Sequence, residues 1–361
     1  MAMTDNKRII SEFTPEYRTV GWQSPSNIAL VKYWGKKENQ IPSNPSISMT
    51  LCRSVSEVQI RYQASPQRKA LQLDYSFEGA KNVKFEQRIH RYLQSLIPEL
   101  PFLDQLHLKI DSRNSFPHSA GIASSASGFS ALALCLCTIE NAFFNDLPDP
   151  NAFLKKASFL ARLGSGSAAR SIYGGYTTWG KISDSIASVD EYALPLETDI
   201  HPLFRNMQDT ILIVSSKEKS ISSSAGHGMM VNHPYAEARF RQADENYRAM
   251  IRSLESGDME RFIRITEQEA LSLHALMMSS RNGYLLMQPY TVLILERIRN
   301  YRQTTGHPVC CTLDAGPNVH LLYPAAYQEA VGQFITAELM PLCEDGRWID
   351  DRIGEGPVQL E

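Results

Sequence analysis

A chain of 361 residues, 43% of them hydrophobic and 21% charged, has the composition of a globular protein long enough for two substantial cores. Its formal net charge of −3 and isoelectric point near 6.3 exclude the basic footprint of a nucleic-acid binder and offer no attraction to an anionic membrane. Any anion site must therefore be local.

The six cysteines (Cys52, Cys135, Cys137, Cys310, Cys311 and Cys343) lack zinc-site spacing, and four sit in strongly apolar contexts, so they read as reduced core residues. The first residues carry no apolar run behind their charges, and no later segment stays apolar long enough to span a bilayer. A cytoplasmic location is the resulting expectation.

In chain order, Thr19 to Val31 alternates as a strand, a turn over Ser24-Pro25-Ser26-Asn27, and a second strand. Lys32-Tyr-Trp-Gly-Lys-Lys37 follows. A solvated turn is one reading of it; the cost of exposing Tyr33 and Trp34 favours a pocket wall carrying Lys32 and Lys36. Ile41 to Leu51 supplies another turn and strand, and Val55 to Tyr62 a further strand. Helical spacing runs from Val83 to Leu96 and stops before Pro98, and Leu106 to Ile110 alternates as a half-buried strand.

Small residues and hydroxyls then crowd Ser115-Phe-Pro-His-Ser-Ala-Gly-Ile-Ala-Ser-Ser-Ala-Ser-Gly128, ahead of apolar positions Leu132, Leu136, Ile139 and Phe143 at helical spacing. A helix N-terminus offers unpaired N–H groups and partial positive charge, and Gly121, Ala123, Ser124, Ser125 and Ala126 would let an anion approach. The Walker A pattern is absent, and an ordinary serine-capped helix start explains the same residues equally well.

Pro148 to Arg162 reads as a second helix, stopped by Gly164-Ser-Gly-Ser-Ala-Ala-Arg-Ser171, with a short strand at Gly174 to Trp179. A Gly/Ser run is commonly just a connection, yet Arg170 among hydroxyls suits bidentate anion binding. The division between parts 1–200 and 201–361 falls between Pro195 and Met207, before the apolar strand Thr210 to Val214. Ser215 to Met229 reads as a loop containing His227. Helices follow at Tyr235 to Glu255, Asp258 to about Ser279 and Pro289 to Thr305, with Gly257 as a stop and Asp258 as the next N-cap. Strands at Val309 to Leu313 and Val319 to Tyr323 flank Asp314-Ala-Gly-Pro-Asn318, where an Asx-turn is the first reading of Asp314. One closing strand is expected near the end. The pattern is mixed α/β, with an α+β second half.

Four segments carry a more specific signal when taken together: Ser26-Asn-Ile-Ala-Leu-Val-Lys-Tyr-Trp-Gly-Lys36, Phe116-Pro-x-x-Ala-Gly-Ile-Ala-Ser-Ser-Ala126, Gly164-Ser-Gly-Ser-Ala-Ala-Arg-Ser171 and Asp314-Ala-Gly-Pro-Asn318. In this order and at these separations, from about Val20 to Tyr323, the chain resembles the diphosphomevalonate decarboxylases of the GHMP kinase superfamily. The resemblance implies a two-domain GHMP kinase fold, with a ribosomal protein S5 domain 2-like N-terminal domain and a ferredoxin-like C-terminal domain. It implies ATP as co-substrate, Mg2+, a homodimer, and conversion of 5-diphosphomevalonate to isopentenyl diphosphate.

Carried over by position, Asp314, Lys32 and Arg170 match the catalytic residues. Tyr33, Trp34, Gly35, Lys36, Ser165, Gly166, Ser167, Ala168, Ala169 and Arg170 match substrate-binding positions. Gly121, Ala123, Ser124, Ser125 and Ala126 match the ATP loop, and Ser125 is the candidate metal contact. Ala169 stands where relatives commonly have cysteine. Ser222 to Met229 is longer than the family's diphosphate-gripping loop; Ser224 and Met229 can be matched in it, and His227 is extra. Lys84 stands where relatives place an arginine. Neighbouring readings are a phosphomevalonate decarboxylase, a mevalonate 3-kinase, or a GHMP-fold protein that only binds. His118, His233, His274 and His320 read as satisfied polar or core residues, since no pair has ligand spacing.

Overall fold

The computed structural model describes residues 9–10, 16–65, 70–117, 122, 124–182, 189–217 and 223–361. Its first elements are β1 (Arg18–Val31), β2 (Ser46–Ala64), β3 (Gln72–Phe77), β4 (Ala80–Lys81), α1 (Val83–Ser95), β5 (Leu106–Asn114), α2 (Ser124–Phe144), α3 (Pro150–Gly164), β6 (Tyr176–Trp179) and β7 (Leu194–Pro195). There follow α4 (Pro202–Arg205), β8 (Met207–Leu212), α5 (Ser223–Gly228), α6 (Ala236–Ser256), α7 (Met259–Ser279), α8 (Pro289–Thr305), β9 (Cys310–Thr312), β10 (Val319–Pro324), α9 (Gln328–Phe334), β11 (Trp348–Arg352) and β12 (Val358–Leu360).

Two sheets organise these elements. The first runs β12-β1-β2-β5-β3-β4, with β6 pairing β2 and β7 pairing β6; the second runs β11-β8-β10-β9. The strand–turn–strand reading of Thr19 to Val31 is corrected: β1 is one strand, and its pairing with β2 shifts register between Pro25 and Asn27. Likewise the two strands read at 41–51 and 55–62 are one strand, β2. Bulges explain both errors, because an extra residue breaks the side-chain alternation while main-chain pairing continues on either side.

Those long strands cross two cores. Val20 of β1 and Val58, Ile60 and Tyr62 of β2 pack with α2, whereas Ile28, Leu30, Ile47, Met49 and Leu51 pack with Tyr247, Met250, Phe262 and Ile265 of α6 and α7. At the bulge, the buried Asp351 carboxylate of β11 accepts the backbone N–H groups of Cys52, Arg53 and Ser54 at 2.8, 2.8 and 2.7 Å. It joins the second sheet to the first.

Helix boundaries follow local chemistry. Asp149 caps α3 by accepting from the N–H of Ala152 at 3.0 Å, ahead of Pro150 in the first turn. Gly257, at φ 79°, ends α6 in the left-handed region, and Asp258 immediately caps α7. By length and composition α2 could cross a bilayer, contrary to the sequence reading; instead it is buried between β1, β2 and α3. Its apolar residues surround the helix because protein covers every side of it.

Four further differences concern the ends and loops. The β3–β4 hairpin, although Leu73, Tyr75 and Phe77 alternate, was not anticipated; nor was α9. Part of the expected loop over 215–229 is helical, at α5. The closing segment forms two strands in different sheets, β11 beside β8 and β12 beside β1. Five of the six cysteines are buried and all are free thiols.

Candidate active site

Lys32 leaves the end of β1 and is 2% exposed. Three groups fix its peptide: its N–H donates to Glu269 Oε2 at 2.8 Å, and its carbonyl accepts from Asn44 Nδ2 at 2.9 Å and Arg239 Nη2 at 3.1 Å. Glu269 is fully buried on α7 and stays compensated because Arg239 of α6 donates to both its oxygens, at 2.7 and 2.6 Å, and Asn246 adds a third bond at 2.7 Å. Burying an ion pair this completely is costly unless every lone pair is used, so this triad is built to hold one peptide.

Asp314 follows β9, and its carboxylate Oδ1 lies 3.2 Å from Lys32 Nζ. The loop is pinned from behind. His274 Nε2 donates to the Asp314 carbonyl at 3.1 Å, Thr291 Oγ1 donates to Pro317 O at 2.7 Å, and Asn318 Oδ1 accepts from Val214 and Ser215 N–H at 2.8 and 2.9 Å. Rather than closing an Asx-turn as first read, the carboxylate faces Lys32. Burial lowers the Lys32 pKa, and the Asp314 charge opposes that shift.

Arg170 sits in the short 3-10 helix Gly166–Ile172 and is 2% exposed. Its Nη1 donates to Ser46 Oγ at 2.6 Å and its Nε to Asn27 Oδ1 at 3.3 Å, with the guanidinium 5.9 Å from the Trp179 ring centroid. Burial pushes its pKa down to about 10, with Asp314 and Tyr33 opposing. Among the described residues no carboxylate pairs with it, which leaves a desolvated, oriented cation suited to an anion from solution.

These groups share one cavity of about 610 Å³. Lys32, Tyr33, Trp34, Lys36, Ser125, Ser165, Gly166, Ser167, Arg170 and Asp314 all line it. Ser125 Oγ and Ser165 Oγ are 3.2 Å apart, so the N-terminal end of α2 and the Gly/Ser run after α3 meet there. Gly166 has to be glycine, since a Cβ would lie 2.6 Å from the Tyr33 hydroxyl. A second cavity opens beside it between Val58, Tyr75, Phe77, Phe85, Ile89 and the hydroxyls of Ser56, Ser112, Ser124 and Ser125.

Several expected residues lie elsewhere. Ala126, Ala168 and Ala169 are buried in the core beneath the cavity, where small side chains allow close packing of α2 and α3. Ser124 faces the second cavity alone. Gly35 contributes its main chain, donating to His227 Nδ1 at 3.1 Å. Met229 does not line the cavity, and Lys84 lies exposed on the first turn of α1. Gly121, Ala123 and His118 lie outside the described residues, as does the side chain of Ser224.

In place of Lys84, Arg88 and Arg91 reach the cavity, one and two turns further along α1. Asn27, Gln40 and His227 also line it without having been singled out as site residues. Lys36 Nζ donates to Gln40 Oε1 at 2.9 Å, and burial together with the nearby Arg88 charge lowers its pKa. His233 and His320 are satisfied as expected, by Leu276 O at 3.0 Å and Asp209 Oδ2 at 2.8 Å. His274 is satisfied too, but by the loop that carries Asp314.

Among the described residues Asp314 is the one carboxylate lining the cavity, and no group of three or more His, Cys, Asp or Glu could hold a metal ion. That donor set fits Mg2+ carried mainly on phosphate oxygens and water rather than in a protein cage.

Residues 24–190 match the model of the diphosphomevalonate decarboxylase-like N-terminal domain, and residues 210–352 match that of the mevalonate 5-diphosphate decarboxylase C-terminal domain. A diphosphomevalonate decarboxylase of Aspergillus fumigatus is 30% identical over 346 residues, covering 91% of this chain and 82% of the relative. The crystal structure of the Staphylococcus aureus mevalonate diphosphate decarboxylase has a TM-score of 0.81 at 26% identity, covering 96% of this chain and 98% of that one. A structure solved in complex with MVAPP, AMPPCP and magnesium has a TM-score of 0.80 at 25% identity, covering 96% and 99%. The two sheets and their helices therefore form the GHMP-kinase-like fold. With both domain models matched in order along one chain, the protein belongs to the diphosphomevalonate decarboxylase family.

Proposed function

We propose that this chain decarboxylates 5-diphosphomevalonate, using ATP, to give isopentenyl diphosphate, ADP, phosphate and carbon dioxide. The observation that carries the reading is the 3.2 Å contact between Lys32 Nζ and Asp314 Oδ1, in one cavity with the buried, carboxylate-free Arg170. The relative bound to MVAPP, AMPPCP and magnesium supports the same substrates here.

In this mechanism the Asp314 carboxylate accepts the proton of the substrate's tertiary 3-hydroxyl as its oxygen attacks the γ-phosphorus of ATP. Lys32 keeps Asp314 ionised and balances charge on the transferring phosphoryl group. Arg170 holds the substrate carboxylate bidentately, aligning the C1–C2 bond with the departing 3-phosphate. The C3–O bond then breaks, the C1–C2 electron pair becomes the C2–C3 double bond, and carbon dioxide leaves. No organic electron sink is required.

Lys36, Arg88 and Arg91 add three cations at the cavity, which favours a substrate with two phosphates. The second cavity suits the adenine and ribose, with the apolar Phe77 and Phe85 side chains beside hydroxyls. Mg2+ would neutralise the ATP phosphates, with Ser125 Oγ the protein oxygen best placed to hold it. The division 1–200 and 201–361, the cytoplasmic location and the homodimer are proposals resting on the family likeness; the first is a boundary between two interlocked domains rather than separable pieces, and sedimentation velocity tests the last.

The test compares wild type and Asp314→Asn on mevalonate, 5-phosphomevalonate and 5-diphosphomevalonate, measuring carbon dioxide and alkene together. We expect turnover of the diphosphate, lost in the variant while ATP still binds. Alkene formation by Asp314→Asn at a rate near that of wild type would sink the reading, and preference for 5-phosphomevalonate would replace the substrate.

A further inference from the structure

His227 is 8% exposed, yet it lines the cavity. Its ring lies between two aromatic neighbours, 4.3 Å from the Tyr33 centroid and 4.6 Å from that of Trp34. The Gly35 N–H donates to Nδ1 at 3.1 Å, so Nδ1 must present a lone pair and the ring proton must sit on Nε2. Among the described residues Nε2–H has no hydrogen-bond acceptor. Although the ring is mostly enclosed, Nε2 is not sealed in the protein: its N–H opens onto a cavity walled by cations, where an acceptor from solution can reach it.

Close packing fixes this arrangement. A Cβ at Gly226, next to His227, would lie 2.5 Å from Trp34, so the chain approaches the aromatic ring as only glycine permits. Burial, followed by the charges of Lys36 and Arg170, lowers the imidazole pKa to about 3 and keeps it neutral. A neutral ring adds a directed donor without adding a further like charge beside Lys36 and Arg170.

We propose that His227 is a binding residue of the acidic substrate, donating Nε2–H to an anionic oxygen that Lys36 or Arg170 also contacts. The inference deepens the decarboxylase reading and rests on it. Two sources fit the same chemistry: a phosphate oxygen on the Lys36 side, or the carboxylate on the Arg170 side.

Two variants separate the donor from the ring. In His227→Asn the side-chain oxygen can stand near Nδ1 and keep the Gly35 bond while the pocket-facing donor is lost. In His227→Gln the amide nitrogen can stand near Nε2 and keep the donor; both variants lose the stacking equally. We expect His227→Asn to raise KM for 5-diphosphomevalonate at least about tenfold with KM for ATP changed less than about twofold, and His227→Gln to recover most of the loss. Equal behaviour of the two variants, whether both impaired or both normal, would overturn the inference.

Competitive inhibition by pyrophosphate and by mevalonate identifies the source. A selective rise in Ki for pyrophosphate in His227→Asn supports the phosphate contact, and a rise for mevalonate supports the carboxylate contact; no change in either Ki overturns both. Should wild type itself fail to turn over 5-diphosphomevalonate, the decarboxylase reading fails, whereas normal wild-type turnover with indistinguishable variants defeats only the role of His227.

Discussion

Lys32 and Asp314 meet at 3.2 Å, but they are buried unequally: the lysine side chain is 2% exposed and the aspartate 26%. Loss of one partner therefore has a different consequence from loss of the other. In Asp314→Asn a buried ammonium loses its countercharge, whereas in Lys32→Met a partly wetted carboxylate remains and the methionine fills the vacated volume.

We expect Asp314→Asn to cost about 2 kcal/mol of stability and Lys32→Met less than about 1 kcal/mol. Both should lower kcat by roughly 10³-fold. Urea titration alongside steady-state kinetics checks the pair; equal stability losses would contradict the asymmetry.

Asp351 binds three backbone N–H groups of the β2 bulge with one carboxylate. Asp351→Ala leaves those donors without their acceptor, at an expected cost of roughly 3 kcal/mol. Since Asp351 does not line the cavity, kcat per folded molecule should stay near wild type. Retained stability, read from the urea midpoint, would refute the clamp.

Acid stability depends on His227. Its folded pKa is about 3 against an ordinary value of 6.5, so between those limits the unfolded chain binds the extra proton. Its contribution is fully present above pH 6.5 and declines as pH falls, by at most about 1.4 kcal/mol per pH unit. The charges facing the ring, Lys36 and Arg170, oppose protonation of the folded imidazole and so act in the same direction as burial. Urea titrations of wild type and His227→Gln from pH 7 to pH 5 should diverge by about 2 kcal/mol in all, more steeply toward pH 5; parallel lines would mean the ring titrates normally.

Much of the helical framework was legible in the sequence because local chemistry decided it. Gly257 and Asp258 punctuate α6 and α7, and Pro289 opens α8, without help from distant residues. The four polar segments also announced themselves, since glycine, serine and charge beside strand or helix ends are conspicuous. Asp351 was not visible, because its partners are backbone amides some 300 positions away. Nor were Glu269 and Arg239, whose charges on amphipathic helices look solvated until tertiary packing buries them against Lys32. Lys84 misled through spacing: a single helical turn separates it from Arg88, and only the fold decides which cation reaches the cavity.

The strands β1 and β2 pass uninterrupted through both hydrophobic clusters, and β12 returns from the far end of the chain to pair with β1. The molecule is thus stitched rather than hinged. Severing the chain between Pro195 and Met207 should not release two autonomous pieces, for each fragment would retain half of a shared apolar seam, and the pieces should recombine on mixing. The lysine and aspartate that face each other across that seam are held in register by the same stitching, much as two jaws of a vice are aligned by a common rail.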